Sequence, residues 1–376
     1  MTGRVYLDWN ATAPLRPEAR DAMLSAMDVV GNPSSVHTEG RSSKAIVEQA
    51  RSQVAALVGC ERNEIVFSSG ATEAAAQTIP EFATVTTSAV EHDCVEVWSN
   101  GGQEQELRID VDETGKILPS IGGKPFESSL WDDLVAFQSA NSETGVLQNT
   151  FSLAQAVWAT QRSAQVLVDG VQSLGKVHFD LPGSGADYVL TSAHKLGGPK
   201  GVGGLCLKLG VEPPVKIKGG GQEQGRRSGT ENVIGIAGFG AAAEAARNDL
   251  DNGVWDQVRE TRDALEDRLL NEAPDAIVVG KEADRLPNTS CIAVPGWKGE
   301  TQVMQMDLAG FAISAGSACS SGKVKKSRVL SAMGFDDVTA SSAIRVSIGP
   351  TTQHADVMRF ADTWLAHYTK HKARAA

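Results

Sequence analysis

The sequence predicts an α/β protein of two parts: a large domain over residues 15–245, and a smaller α/β domain built from residues 1–14 and 246–376. Three observations predict it. Short apolar runs alternate with amphipathic helical stretches, the pattern of strands and crossover helices. Several of those runs end in polar, chemistry-bearing residues, where open α/β sheets bind their ligands. The composition then shifts near Ala241–Arg262, where a long charged helical stretch begins and continues to Leu270.

In chain order, Ser42 to Val58 carries Ile46, Val47, Val54, Leu57 and Val58 between charged residues, which is one apolar helix face. Glu64 to Phe67 reads as a strand, and Ser68-Ser69-Gly70-Ala71-Thr72-Glu73 as a turn that opens an alanine-rich helix. Val166-Leu167-Val168-Asp169 is a buried strand ending in an acid. Tyr188-Val189-Leu190-Thr191 is another, ending beside His194 and Lys195, and the glycine-rich run Gly201 to Leu207 is a third. Ser290 to Val294 and Ala343 to Ser347 supply strands of the smaller domain.

The 376 residues are enough for a sizeable core, and 41% of them are hydrophobic. A net charge of -11 argues against nonspecific nucleic-acid binding. No apolar stretch approaches the ~20 residues of a membrane helix, and no secretory leader is legible, so a cytoplasmic location is expected. The five cysteines (Cys60, Cys94, Cys206, Cys291 and Cys319) are odd in number and form no C-x-x-C pair. Neither a disulfide framework nor a zinc site is indicated, and no metal is required. Cys206 and Cys291 fit small core positions. His37 and His178 match no chemistry.

The polar strand ends fit the needs of a phosphate-bearing cofactor. Gly70-Ala71-Thr72 offers backbone N–H groups and a hydroxyl at a helix start. Asp169 can hold a ring nitrogen protonated, and Lys195 can supply an amine. Each signal alone has an ordinary structural explanation, such as a cap, a turn or a solvated loop. Their force is joint, and it reaches only as far as a cofactor site.

The chain resembles the cysteine desulfurases, fold-type I pyridoxal-phosphate enzymes of the class V aminotransferase family, nearly from end to end. The resemblance runs through Tyr6-Leu7-Asp8-Trp9-Asn10-Ala11-Thr12-Ala13-Pro14, Ser69-Gly70-Ala71-Thr72-Glu73, Glu91-His92 and Asn141-Ser142-Glu143-Thr144-Gly145. It continues in Asp169-Gly170-Val171-Gln172-Ser173, Ser192-Ala193-His194-Lys195, Arg227-Ser228-Gly229-Thr230, Ser317-Ala318-Cys319 and Ile344-Arg345. It implies a mainly parallel seven-stranded sheet between helices in the large domain. Pyridoxal 5'-phosphate would form a Schiff base on Lys195, with Asp169 at its ring nitrogen, Gln172 and Asn141 near its ring hydroxyl, and His92 stacked on the ring. Ala71, Thr72, Ser192 and His194 would hold the phosphate. Thr230 would reach the neighbouring subunit's phosphate, which implies a homodimer. Asn141 and Arg345 would bind the substrate, with Arg345 on its carboxylate.

Cys319 selects the reaction that the resemblance implies. It lies among small residues, Ser314 to Gly322, in a loop of about residues 314–326, with Lys323, Lys325 and Lys326 after it. Such a segment predicts a mobile loop, and nearby cations favour a thiolate. Lys195, His92 and Cys319 would form the catalytic set, turning L-cysteine into L-alanine and a Cys319 persulfide. That sulfur would pass to an acceptor or iron–sulfur scaffold protein, where Cys319 can transiently ligate a cluster iron. The span from Cys319 to Leu330 matches the long-loop group, and the alternative is a selenocysteine lyase or another class V enzyme. The chain departs from the family pattern at Ala74-Ala75-Ala76, at Ser142, and in the shorter stretch between Thr72 and His92. These departures read as positions behind the site or at the surface.

Overall fold

The computed structural model describes residues 3–99, 108–129, 133–316 and 326–375. Its main sheet has the spatial order Ile65–Ser68, Gly203–Leu207, Tyr188–Ser192, Gln165–Asp169, Leu134–Gln138, Val85–Thr87. Neighbours from Tyr188–Ser192 to Val85–Thr87 pair in parallel. Gly203–Leu207 runs against both of its neighbours, so Ile65–Ser68 points the same way as the parallel group. Six strands are present among the described residues where seven were expected. Beyond Val85–Thr87 the parallel edge continues as a single bridge, Ser88 to Ile109, and Ile109–Val111 turns away into a small antiparallel sheet with Ile117–Ile121 and Lys124–Pro125.

The strands are apolar throughout because both faces are covered. Val66, Leu134, Ala136, Leu167 and Leu190 pack with Ala74, Ala75 and Ile79 on one face. Phe67, Val135, Phe137, Val166, Val168 and Val189 join a core with Val47, Val54 and Phe239 on the other. The helix Thr38–Val58 starts four residues earlier than the apolar spacing predicts, because His37 caps it through a hydrogen bond from the Gly40 N–H. It packs closely on Val233–Asp251 at Gly240, where a Cβ would stand 2.5 Å from Ala50 Cα. The predicted long charged helix is two helices, Val233–Asp251 and Val254–Glu272, separated at Gly253 in the left-handed conformation (φ +68).

A second, antiparallel sheet has the order Ile277–Val278, Thr289–Ala293, Ala343–Ser347, Ser314–Ala315. Its core gathers Ile292, Ile344, Trp297, Phe360 and Trp364 together with Leu7 from the N-terminal segment. That segment is stitched in by a parallel pairing of Val5–Tyr6 with Phe311–Ala312 and by a bridge from Asp8 to Ser347. No helix among the described residues is long and apolar enough to cross a membrane.

Candidate active site

A cavity of about 540 Å3 opens beyond the carboxyl ends of the parallel strands. At one end, Gly70 leads into the helix Ala71–Thr78, whose first N–H groups have no intrahelical acceptor. Ala71 and Thr72 line the cavity there. The turn is braced from behind: Ser69 N–H donates to Glu73 Oε2 at 2.9 Å, and Arg227 Nε holds Glu73 Oε1 at 2.9 Å. Ser192 ends its strand on the same side, followed by a tight turn, Ala193–Lys195. His194 lies with Nδ1 3.2 Å from Thr12 Oγ1. Burial, reinforced by Lys195, Lys200 and Lys176, pushes its pKa down to about 4, so the ring is neutral at ordinary pH.

The acid stands at the far end. Asp169 is buried at its strand terminus, and its Oδ1 accepts the Val171 N–H at 2.9 Å. Burial raises its pKa, against the opposing pull of His92, that N–H and Lys195. Gln138 pairs in register with Asp169 on the next strand, lines the cavity, and leaves a buried Nε2 without a hydrogen-bond partner. Below it, Glu91 Oε1 accepts from the Ser88 hydroxyl and from the Gln138 N–H, while burial pushes the Glu91 carboxyl up to about 8. His92 caps the short helix Asp93–Glu96 by accepting the Cys94 N–H on Nδ1 at 3.2 Å, with Cys94 Sγ 3.1 Å away. An accepting Nδ1 places the proton of a neutral ring on Nε2.

Between the two ends, Lys195 Nζ donates to the carbonyls of Asn10 (2.6 Å) and Ala11 (3.1 Å). Gln172 lines the wall and donates from Nε2 to the same Asn10 carbonyl at 3.0 Å. The structure therefore brings Ala71, Thr72, His92, Asp169, Gln172, Ser192, His194 and Lys195 to one cavity. Asn141 does not line it. Its Oδ1 takes the N–H groups of Glu143 and Thr144 and its Nδ2 donates to the Val90 carbonyl, so its polar atoms shape the loop whose neighbours Ala140 and Ser142 face the cavity. Arg345 is buried with Nη2 on Asp8 Oδ1 (2.7 Å) and Nη1 on the Ser142 carbonyl (2.9 Å), while its Nε has no hydrogen-bond partner. Thr230 is exposed and does not line the cavity. Cys319 lies outside the described residues.

Sequence reasoning missed Gln138, Cys94 and Lys176. Gln138 was legible in principle: Leu134, Ala136 and Gln138 alternate onto one strand face, in register with Asp169. Lys176 had no such signal, because its burial arises from a turn. Ala74 and Ala75, departures from the family pattern, are fully buried against the sheet, where small side chains let the helix approach.

The cavity suits a phosphate-bearing ring. It lies within the usual size range for cofactor sites, with N–H and hydroxyl donors at one end and a buried acid at the other. The pattern of the family described as Aminotransferase class-V matches residues 5–360. A cysteine desulfurase of Cereibacter sphaeroides is 41% identical over 96% of this chain and 94% of its own length. One of Sinorhizobium fredii is 38% identical over 94% of each. Among solved structures, a NifS-like protein superposes with a TM-score of 0.86 at 31% identity, covering 97% of this chain and 99% of its own. A NifS-like protein from Rickettsia africae matches equally well, at 29% identity and the same coverage.

Proposed function

The chain belongs to the aminotransferase class-V family, and from that premise we propose that it is a cysteine desulfurase with Lys195 as its cofactor lysine and Cys319 as its sulfur carrier. The observation that carries the reading is the cavity, with phosphate-type donors and a buried acid at opposite ends and Lys195 between them. Pyridoxal phosphate, when bound, supplies an aldehyde for an amine and a ring that accepts the electrons of a breaking bond.

The residues divide that work. The Ala71 and Thr72 backbone, the Thr72 and Ser192 hydroxyls and neutral His194 hold the phosphate. Asp169 keeps a proton on the ring nitrogen, and the second N–H of Gln172 meets the ring hydroxyl. Lys195 would hold the aldehyde and later move a proton at the substrate carbons. His92, which lines the cavity with its proton on Nε2, would face the ring and assist that transfer. Arg345, held here by Asp8 and the Ser142 carbonyl, would turn its guanidinium to the substrate carboxylate. Cys319 then attacks the cysteine sulfur: a sulfur–sulfur bond forms, the carbon–sulfur bond breaks, and its electron pair stays with the carbon skeleton, which leaves as alanine. Exposed Thr230 serves the phosphate of a second subunit in a homodimer. The persulfide passes in the cytoplasm to an iron–sulfur scaffold or a thio-cofactor carrier.

The test is incubation of the reconstituted enzyme with L-cysteine, following alanine and sulfide and trapping Cys319 by mass spectrometry. A Cys319 peptide heavier by one sulfur is expected. A Cys319→Ala variant that still converts cysteine to alanine at the full rate would sink the assignment, as would a protein that stays colourless, without absorbance near ~420 nm, after reconstitution.

A further inference from the structure

Lys176 is buried (3% exposed), and no carboxylate forms an ion pair with it among the described residues. Its Nζ donates instead to two neutral oxygens, Gln172 Oε1 at 2.8 Å and Asn10 Oδ1 at 3.1 Å. A buried ammonium without a counter-charge is costly, and packing by itself would favour an apolar side chain here. The charged groups that act on it are Lys195 and Arg345, both cations, and Lys176 in turn acts on His194. Burial first, then these cations, holds its pKa well below the usual lysine value.

The other partners of both amides identify which atom of each is the nitrogen. Asn10 Nδ2 donates to the Ser142 carbonyl (3.2 Å) and to Thr289 Oγ1 (2.8 Å), and Gln172 Nε2 donates to the Asn10 carbonyl (3.0 Å). A carbonyl oxygen can only accept, so flipping either amide would set oxygen against oxygen. Lys176 is therefore the donor to both side-chain oxygens. Even as a neutral amine it has two N–H groups for two acceptors, so the arrangement survives loss of its charge. Gly175, at φ +77, makes the turn that brings Lys176 back to Gln172. With its oxygen and one N–H engaged, Gln172 has one N–H left for the cavity that it lines.

We propose that Lys176 is a positioning residue for the cofactor: it locks the Gln172 carboxamide so that an N–H, never the oxygen, faces the ring hydroxyl oxygen. This rests on the cysteine-desulfurase reading, since it concerns that enzyme's cofactor. A donor at that oxygen stabilises its anionic form and so disfavours a proton on the adjoining lysine-linked nitrogen. Removing Lys176 leaves the carboxamide held at one point only, the Asn10 carbonyl, so its remaining N–H drifts from the ring oxygen and the proton is then held more tightly.

The test is a pH titration of the visible band of the cofactor-loaded wild type and of K176M, K176Q, Q172L and K176M/Q172L. The protonation midpoint should rise by about one pH unit in K176M, by less in K176Q, which keeps one donor, and no further in the double variant than in Q172L. A midpoint unmoved in folded K176M overturns the proposal; if K176M does not fold, an unmoved midpoint in K176Q does so. Full additivity of K176M and Q172L overturns the route through Gln172. A wild type that takes up no cofactor overturns the functional reading as well, whereas a yellow wild type with unmoved variants overturns this inference alone.

Discussion

Half-buried His194 and buried Glu91 make opposite demands on pH. His194 has a folded pKa of about 4 against 6.5 for a free histidine. As pH falls from 6.5 toward 4 the unfolded chain takes up that proton first, so this contribution to stability is lost downward. Glu91 has a folded pKa of about 8 against 4.5. As pH rises from 4.5 to 8 the unfolded chain releases that proton first, so stability falls upward, by at most about 1.4 kcal/mol per pH unit. Of the two, only the Glu91 slope operates above pH 6.5. Glu91→Gln cannot titrate, and it should flatten the decline of the urea midpoint between pH 6.5 and 8 while leaving the acid limb unchanged. Wild type and variant declining in parallel over that window would show that Glu91 is ionised in the fold. The sequence names Glu91 only as the neighbour of His92; its protonation follows from burial against Ser88 and the end of the strand Leu134–Gln138, which no local spacing reveals.

At the scale of elements, the site depends on how closely the strand Gly203–Leu207 approaches the turn before the helix Ala71–Thr78. A Cβ on Gly203 would stand 2.5 Å from the Thr191 carbonyl oxygen and 2.6 Å from Gly70 Cα. Both neighbours are backbone and cannot swing aside, so Gly203→Ala must displace the turn. The N–H groups of Ala71 and Thr72 move with it, and on the proposed reading their bonds to a phosphate would lengthen. We expect the variant to bind pyridoxal phosphate at least ~10-fold more weakly, a loss of about 1.4 kcal/mol, with overpacking costing a further ~1–3 kcal/mol of stability. Titration of the apo-protein with the cofactor, followed at the visible band, measures the first, and urea unfolding measures the second. Unchanged affinity would mean that the turn does not hold the phosphate. This element was half legible: the glycines of residues 201–204 announce close packing, but the antiparallel direction of the strand and its contact with Gly70 come from tertiary pairing.

For the whole molecule, the alternation of apolar runs foretold the α/β layers, and the polar strand ends foretold the cavity, because both follow from short-range periodicity. What periodicity cannot show is how residues 1–14 join the rest. Asn10 does much of that joining. Its backbone N–H meets Ser347 Oγ (2.9 Å), its Nδ2 meets Thr289 and Ser142, and its Oδ1 takes Asn288 Nδ2 (3.1 Å) and Lys176. Its carbonyl receives both Lys195 and Gln172. One buried residue thus ties the antiparallel sheet to the wall of the cavity. Asn10→Ala leaves Lys176, Asn288 and the Ser142 carbonyl short of partners. Each keeps one other partner, Gln172 Oε1, the Ile348 carbonyl and Arg345 respectively, so each loss falls at the low end of the about 1–3 kcal/mol for an unmade buried bond, and the apo-protein should lose roughly 2–5 kcal/mol in urea unfolding. Cofactor affinity should fall in the same variant, because Gln172 and Lys195 lean on the displaced backbone. Asp169→Asn gives the contrast: its amide oxygen can still accept the Val171 N–H, so on the proposed reading it should weaken cofactor binding while leaving the apo-protein's midpoint near that of wild type. If Asn10→Ala instead behaves like Asp169→Asn, with apo stability intact, the N-terminal segment merely contacts the cavity and does not join the two sheets.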